Sequence, residues 1–169
     1  MDIKTFLLVI IGGALANNCV LTQFYGITPA LGASGQAKAL LRHALAVTVV
    51  TLIAAVITGV YSFGVYTTFL TAMWVLLAAG LVGKYFTDKW LLVALNGVVL
   101  GTAADALSAG LVERIAASLG AGLGFAVALL LFAGVETRID DKYVPAAFRG
   151  FPVRLLAAGI ICMAVVAFK

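Results

Sequence analysis

Charged residues are scarce in this sequence. Asp, Glu, Lys and Arg make up 11% of its 169 residues, whereas soluble proteins usually contain about 25%. Hydrophobic residues account for 64%, and the mean hydropathy is +1.17. This composition excludes a water-soluble domain and indicates an integral membrane protein.

Cysteine is also scarce, since the chain contains only Cys19 and Cys162. Both lie within apolar segments and not in loops, which argues against the disulfide framework of a small secreted protein. Cys162 stands among apolar neighbours and is expected to be a small packed side chain. Cys19 follows two asparagines, and it is expected either to pack in the same way or to offer a thiolate to a metal or cluster.

The sequence lacks the motifs of soluble enzymes. Nothing resembles a nucleophile spaced with its base or a nucleotide-binding loop. The single histidine, His43, follows Arg42 and is expected at the level of the lipid headgroups. The formal net charge of +4 reflects basic residues in loops and does not indicate nucleic-acid binding.

Six apolar segments have the length of a membrane-crossing helix, which is about 20 residues. We therefore predict an all-α integral membrane protein in which residues 1–169 form one domain with six transmembrane helices. The first segment has neither the basic start nor the cleavage site of a signal peptide, so we expect it to be retained. The predicted helices are Phe6–Tyr25, Leu40–Val60, Tyr66–Gly83, Trp90–Ala109, Ile115–Glu136 and Phe151–Phe168.

The distribution of basic residues predicts the orientation of these helices, because cytoplasmic loops are enriched in lysine and arginine. Lys4, Arg114 and Lys169 lie on one side of the predicted bundle, and the other eight basic residues lie on the opposite side. We therefore expect loops one, three and five in the cytoplasm and both termini outside. The eight are Lys38, Arg42, Lys84, Lys89, Arg138, Lys142, Arg149 and Arg154.

A short pattern occurs twice, about half the chain apart. Asn-Cys-Val-Leu at residues 18–21 is similar to Asn-Gly-Val-Val-Leu at residues 96–100. A unit of three membrane-crossing helices, used twice, places its second copy upside down in the bilayer. We therefore predict two inverted three-helix repeats, approximately residues 1–84 and 85–169, each with a broken first helix.

Polar and helix-breaking residues interrupt the apolar segments near the predicted midplane. An unwound turn frees backbone groups, and asparagine can both donate to and accept from such groups. Pro29 is expected to end a helix. Two interpretations stay open: the amides join helices by hydrogen bonds, or the breaks form a site for something bound. The residues concerned are Asn17, Asn18, Pro29 and Asn96.

Three charged residues stand near the ends of the fourth and fifth segments. Asp105 is expected to be an exposed carboxylate at a helix end, and cation binding by this group is the alternative. Glu113 and Arg114 are expected to lie in the external loop between the two helices.

Two stretches resemble motifs of a known family. Asn-Asn-Cys-Val-Leu at residues 17–21, followed by Phe-Tyr-Gly-Ile-Thr-Pro-Ala-Leu-Gly at 24–32, is similar to the first-helix signature of the Rnf/Nqr membrane subunits. Val-Pro-Ala-Ala-Phe-Arg-Gly at residues 144–150 resembles a loop motif of the same family. The similarity continues into the fifth and sixth helices and covers most of the chain.

The resemblance implies a subunit of an ion-translocating electron-transport complex in the inner, cytoplasmic membrane, driven by NADH and ferredoxin or quinone. It implies a homologous partner of opposite orientation, of the RnfE or NqrD type, and contacts with further subunits and membrane lipid. The predicted orientation is similar to that of the RnfA and NqrE branch. In the family, each member of the pair supplies two cysteines to one shared [2Fe-2S] cluster.

The sequence differs from the family at both cluster positions. Thr28 and Gly97 occupy the places of the two cysteines, and neither can supply a thiolate to iron. Three alternatives follow: Cys19 is a relocated ligand, the chain is a clusterless scaffold subunit, or it is a small ion or solute transporter on the same fold. No catalytic residue is expected, and Cys19 is the only candidate cofactor or metal ligand.

The loop motif is expected to contact neighbouring subunits at the cytoplasmic end of the chain. Phe148 and Arg149 are expected to make the main contacts. The motif residues that we assign to this role are Val144, Pro145, Phe148, Arg149 and Gly150.

Overall fold

The computed structural model describes residues 2–32, 37–60, 66–86, 90–105, 109–140 and 142–167. All regular secondary structure in these ranges is helical, which confirms the all-α prediction. Lys89 and Lys169, which contribute to the predicted orientation, lie outside them. The helices are α1 (Ile3–Ile11), α2 (Cys19–Gln23), α3 (Ile27–Gly32), α4 (Ala37–Val60), α5 (Thr67–Phe86), α6 (Trp90–Ala94), α7 (Gly97–Asp105), α8 (Leu111–Glu136) and α9 (Phe151–Ala167), with a π-helical turn at Gly12–Ala16 and a 3₁₀ turn at Ala146–Phe148.

Each of the six apolar segments contains helix, but the first and the fourth are interrupted. The first consists of α1, the π-helical turn and α2, with a break at Asn17 and Asn18. The fourth consists of α6 and α7, which are separated by Leu95 and Asn96. Asparagine favours such breaks because its side chain competes for backbone hydrogen bonds that a continuous helix would use.

Two helices in the described ranges are long and apolar enough to cross a membrane, namely Lys38–Thr58 within α4 and Leu111–Glu136. Shorter apolar helices occupy Ile3–Ala16, Phe69–Val82, Trp90–Asp105 and Phe151–Ala167. Their outward side chains include many large apolar residues that are half or more exposed. An outer surface of this kind is typical of a protein that contacts lipid.

The long helices α4 and α8 form the centre of the fold and pack against each other. Val47 of α4 and Phe125 and Leu129 of α8 are buried where the helices meet. A Cβ atom at Gly122 would collide with the side chain of Thr48. The small residue therefore lets the two backbones approach closely, as is common between membrane helices.

The interrupted segments pack on these two central helices. The first one contacts α8 through α1, the π-helical turn and α2, whereas α7 of the fourth contacts both α4 and α8. Each break is consequently held against a long helix of the other half of the chain.

The connection between α7 and α8 differs from the sequence-based expectation. Glu113 and Arg114 do not lie in a loop, because α8 begins at Leu111 and includes both residues. The Arg114 side chain is buried, and its Nε donates a 2.8 Å hydrogen bond to the carbonyl oxygen of Ala109. Asp105 ends α7 and is exposed, as predicted.

His43 is buried between α4 and α8, and its ring centroid lies 6.0 Å from that of Phe125. Its position at the level of the lipid headgroups stays a prediction. One further expectation is wrong. Pro29 does not end a helix, because α3 begins at Ile27 and continues beyond it. In the first turn of a helix the missing proline N–H removes no intrahelical hydrogen bond, so proline is tolerated there.

Candidate functional site

The first helix break is organised by the side chain of Asn18. This side chain is 0% exposed. Its Oδ1 accepts hydrogen bonds from the backbone N–H groups of Val20, at 3.0 Å, and Leu21, at 3.4 Å, and so caps α2. Its Nδ2 donates to the carbonyl oxygens of Ala14, at 3.0 Å, and Gly124, at 2.8 Å. One amide therefore joins the π-helical turn, α2 and α8.

The π-helical turn brings the chain close to α8 just before this break. A Cβ atom at Gly13 would lie 3.3 Å from the Cα atom of Gly120, so the two backbones are in direct contact. Asn17 ends the turn, and its backbone N–H donates to the carbonyl oxygen of Gly12 at 2.6 Å. Asn17 is exposed, unlike Asn18. Single π-helical turns of this kind are frequent at functional sites.

The second break has the same cap with fewer hydrogen bonds. Asn96 is also 0% exposed, and its Oδ1 accepts from the backbone N–H of Val98 at 3.0 Å. This bond corresponds to the one between Asn18 and Val20. The Nδ2 of Asn96, however, has no hydrogen-bond partner in the described ranges. The two asparagines are thus similar as caps and different as links between helices.

The second break packs against the turn between α2 and α3. Gly26 in this turn has φ +68°, a conformation that residues with a side chain rarely adopt. A Cβ atom there would collide with the side-chain oxygen of Asn96 and approach Val98 Cγ2 to 2.9 Å. The predicted midplane residues Asn18 and Asn96 are therefore both buried, and they are held by α8 and by the Gly26 turn respectively.

The two positions that the resemblance assigns to cluster cysteines, Gly97 and Thr28, do not offer iron ligands. Gly97 begins α7, and a Cβ atom on it would lie 3.1 Å from the backbone nitrogen of Gly26. Thr28 is exposed in the first turn of α3. Neither residue carries a thiol, and a side chain at position 97 would lie in tight contact with the backbone of the neighbouring turn.

The two cysteines lie in different helices. Cys19 is the first residue of α2 and is buried, and Cys162 is buried in α9. Both are free thiols. In the described part of the chain, no group of three or more His, Cys, Asp or Glu residues is arranged to hold a metal ion.

The loop at residues 144–150 has a compact shape and lies at the surface. The backbone N–H of Phe148 donates to the carbonyl oxygen of Pro145 at 2.9 Å, which closes the 3₁₀ turn. The Nε of Arg149 donates to the carbonyl oxygen of Val144 at 2.9 Å. Phe148 and Arg149 are both exposed, while Gly150 adopts φ +80° before α9 begins. The loop thus offers an aromatic ring and a cation on a preformed turn.

The residues that complete the site could not be assigned from the sequence. The contact of Gly26 with Asn96 and the hydrogen bond of Asn18 to Gly124 join segments that are distant in the chain, and such pairs leave no local signal. The position of Gly26 within the motif at residues 24–32 was the available indication.

Comparisons with known proteins agree with the motif at the first break and in the loop. A protein-family model described as "Rnf-Nqr subunit, membrane protein" matches residues 6–87 and 90–169. The chain is 33% identical to the A-type subunit of the ion-translocating oxidoreductase complex of Syntrophotalea carbinolica, over 98% of this chain and 96% of that protein. It is 32% identical to the A-type subunit of the Na⁺-translocating ferredoxin:NAD⁺ oxidoreductase complex of Acetobacterium woodii, over 98% and 97%.

A third relative has a similar extent of match. The A-type subunit of the ion-translocating oxidoreductase complex of Azoarcus sp. is 30% identical over 96% of this chain and 95% of its own length. The matches therefore include both helix breaks and the loop, and they confirm the resemblance that the motifs predicted. This chain belongs to the Rnf-Nqr family of membrane subunits.

Proposed function

We propose that this chain is the A-type subunit of an ion-translocating electron-transport complex and helps to carry electrons or cations across the bilayer. The observation that carries the proposal is its similarity to A-type subunits over nearly the whole length of both partners. The sequence has no motif suited to catalysis, so the chain acts as one part of a larger oxidoreductase. Its contribution lies in the paired breaks at Asn18 and Asn96.

The six apolar segments form two inverted repeats of three transmembrane helices, approximately residues 1–84 and 85–169, in one domain. The matching caps support this arrangement, because Asn18 and Asn96 each accept a hydrogen bond from the backbone N–H two residues later. The packing of the breaks on central helices also supports it, since the first break contacts α8 and α7 contacts α4. Inverted repeats bring paired breaks together near the midplane.

In the cell the chain lies in the inner membrane with both termini outside, next to a homologous partner of the RnfE or NqrD type. The excess of basic residues on the opposite side supports this orientation. The loop at residues 144–150 then faces the cytoplasm. Its exposed Phe148 and Arg149 contact neighbouring subunits of the complex, because aromatic rings and arginines are favoured anchors at interfaces.

The chain holds no [2Fe-2S] cluster of its own. The threonine at position 28, the glycine at position 97 and the close contact of Gly97 with Gly26 support this proposal. The alternative, in which Cys19 is a relocated ligand, leaves the site short of the four ligands that such clusters use. The breaks then serve to move or admit cations, or to hold the complex together.

The proposal can be tested by purifying the complex through a tag on this chain and by deleting its gene. We expect the other subunits of the oxidoreductase to be purified with the chain. We also expect membrane vesicles that lack it to lose redox-driven ion transport, and the restored full chain to recover both. Flux of an ion or solute through the purified chain alone in liposomes would instead identify an independent transporter.

A further inference from the structure

A cavity of about 520 Å³ opens beside the first break. It lies between α1, the π-helical turn, α2, the end of α7 and the beginning of α8. Glycine and apolar side chains form much of its wall. Its polar lining residues are Thr5, Asn17, Cys19, Gln23, Thr102, Asp105 and Glu113.

The cavity extends from one end of the fold to the break. Thr5 near the start of α1 and Asn17 at the break both line it. The helical path between these two residues is about 18 Å long at ~1.5 Å per residue. The hydrocarbon layer of a bilayer is about 30 Å thick, so the cavity reaches well into the membrane from the side where α7 meets α8.

The charge of the cavity is negative. Asp105 and Glu113 both line it, and no lysine or arginine is among the described lining residues. Neither carboxylate forms a salt bridge within the ranges that the structure describes. Arg114, which follows Glu113, directs its Nε to the Ala109 carbonyl and does not line the cavity.

The remaining polar groups provide oxygen atoms along the cavity. Asn17 and Gln23 carry amide oxygens, and the hydroxyl of Thr102 lines the wall between the break and Asp105. Oxygen atoms and carboxylates are the ligands that hard cations prefer. Acidic residues in membrane proteins characteristically face water-filled cavities on ion pathways, where they raise the local concentration of cations.

We propose that this cavity is a water-filled vestibule that concentrates hydrated monovalent cations next to the first break, with Asp105 and Glu113 as the attracting groups. The inference rests on the proposed function, because an ion-translocating complex must admit its ion from one side of the membrane. It adds to that function the cavity that admits the cation, the end of the fold at which the cation enters, and the two residues that attract it. No cluster is involved.

Cys19 provides a natural reporter for this vestibule, because it is one of the residues that line the cavity. Cys162 is 0% exposed in α9 and does not line it, so it serves as the internal control. The complex in native membranes is treated with two methanethiosulfonates of similar size, the cationic trimethylammonioethyl and the anionic sulfonatoethyl reagent. Peptide mass spectrometry measures the rate of modification at each cysteine. Each rate is divided by the rate of the same reagent with a small free thiol in solution, because a cationic reagent reacts intrinsically faster with a thiolate, and these normalised rates are compared.

We expect the cationic reagent to modify Cys19 at least roughly tenfold faster than the anionic one, which is the lower end of electrostatic focusing in charged clefts. Cys162 stays unmodified. The double change Asp105→Asn and Glu113→Gln brings the two rates at Cys19 close to each other. Asp140→Asn, which removes an exposed carboxylate that does not line the cavity, leaves their ratio unchanged.

A second reporter covers the case in which the Cys19 thiol is too unreactive. Gln23→Cys in a Cys19→Ser background places a thiol elsewhere on the same cavity wall. Equal rates for both reagents at this position would overturn the proposal. So would modification by a neutral benzyl reagent alone, which would indicate a cavity filled by lipid.

The labelling experiment can contradict the vestibule without contradicting the proposed function, and the reverse is also possible. A charge preference at Cys19 in a chain that purifies without other subunits would contradict the proposed complex and keep the vestibule. A chain that assembles with its complex but shows no charge preference would contradict only the vestibule.

Discussion

The Nδ2 atom of Asn18 donates a 2.8 Å hydrogen bond to the carbonyl oxygen of Gly124, a residue 106 positions later in the chain. This bond ties the first helix break to the middle of the central helix α8. The same amide caps α2 and contacts Ala14. Asn96 at the second break lacks a corresponding donor contact within the described residues, so the two breaks are held with different strength.

The difference between the two asparagines predicts unequal losses of stability. Asn18→Ala removes the cap of α2 and both hydrogen bonds that Nδ2 donates, and we expect a loss of about 2–4 kcal/mol. Asn96→Ala removes mainly the cap of α7 and is expected to cost about 1 kcal/mol. Thermal unfolding of the purified complex in detergent measures both. The exposed Asn17→Ala is the control, and equal losses at positions 18 and 96 would contradict the asymmetry.

The contact between the second break and the turn after α2 predicts that position 26 requires glycine. Gly26→Ala places a methyl group against the Asn96 side-chain oxygen at positive φ, and we expect a loss of more than about 2 kcal/mol. Gly159→Ala in α9 is the matched control, because no atom lies within 4 Å of a Cβ at that position. We expect it to be neutral or slightly stabilising, since alanine favours helix. If the Gly26→Ala variant unfolds at the same temperature as the wild-type protein, the turn accommodates the added methyl group and this prediction is wrong.

The residues at the family cluster positions predict that this chain contributes nothing to iron binding. Iron content and low-temperature electron paramagnetic resonance of the complex are expected to be the same before and after Cys19→Ser. Loss of a [2Fe-2S] signal in that variant would establish Cys19 as a relocated ligand.

The exposed loop predicts an effect on assembly and not on folding. Phe148→Ala and Arg149→Ala remove side chains that lie outside the core, so the chain itself is expected to stay folded. We expect the amount of other subunits purified with it to fall several-fold. Arg138→Ala, an exposed cation at the same end of α8 but outside the motif, is the control. Unchanged assembly in both loop variants would remove this loop from the interface.

Much of the helical framework could be predicted from the sequence. Each of the six apolar segments contains helix, because a run of apolar residues with good helix propensity satisfies its backbone locally. The breaks at Asn18 and Asn96 were also predicted, since a polar amide in such a run leaves a local signal. The bounds were less accurate: α8 begins before Glu113, whereas the sequence suggested a loop there. A charged pair is typical of loops, but in this fold the side chain of Arg114 reaches the Ala109 carbonyl.

The sequence by itself determined that this protein is helical, apolar, interrupted by asparagine at two places and without the two family cysteines. These properties depend on composition and on neighbours within a few turns of helix. The tertiary structure alone decided that Asn18 donates a hydrogen bond to the Gly124 carbonyl, that the Asn96 side chain packs against Gly26, and that His43 is buried. Such pairings depend on which distant segments meet in space, and the energy of a buried hydrogen bond or close contact exists only after they have met.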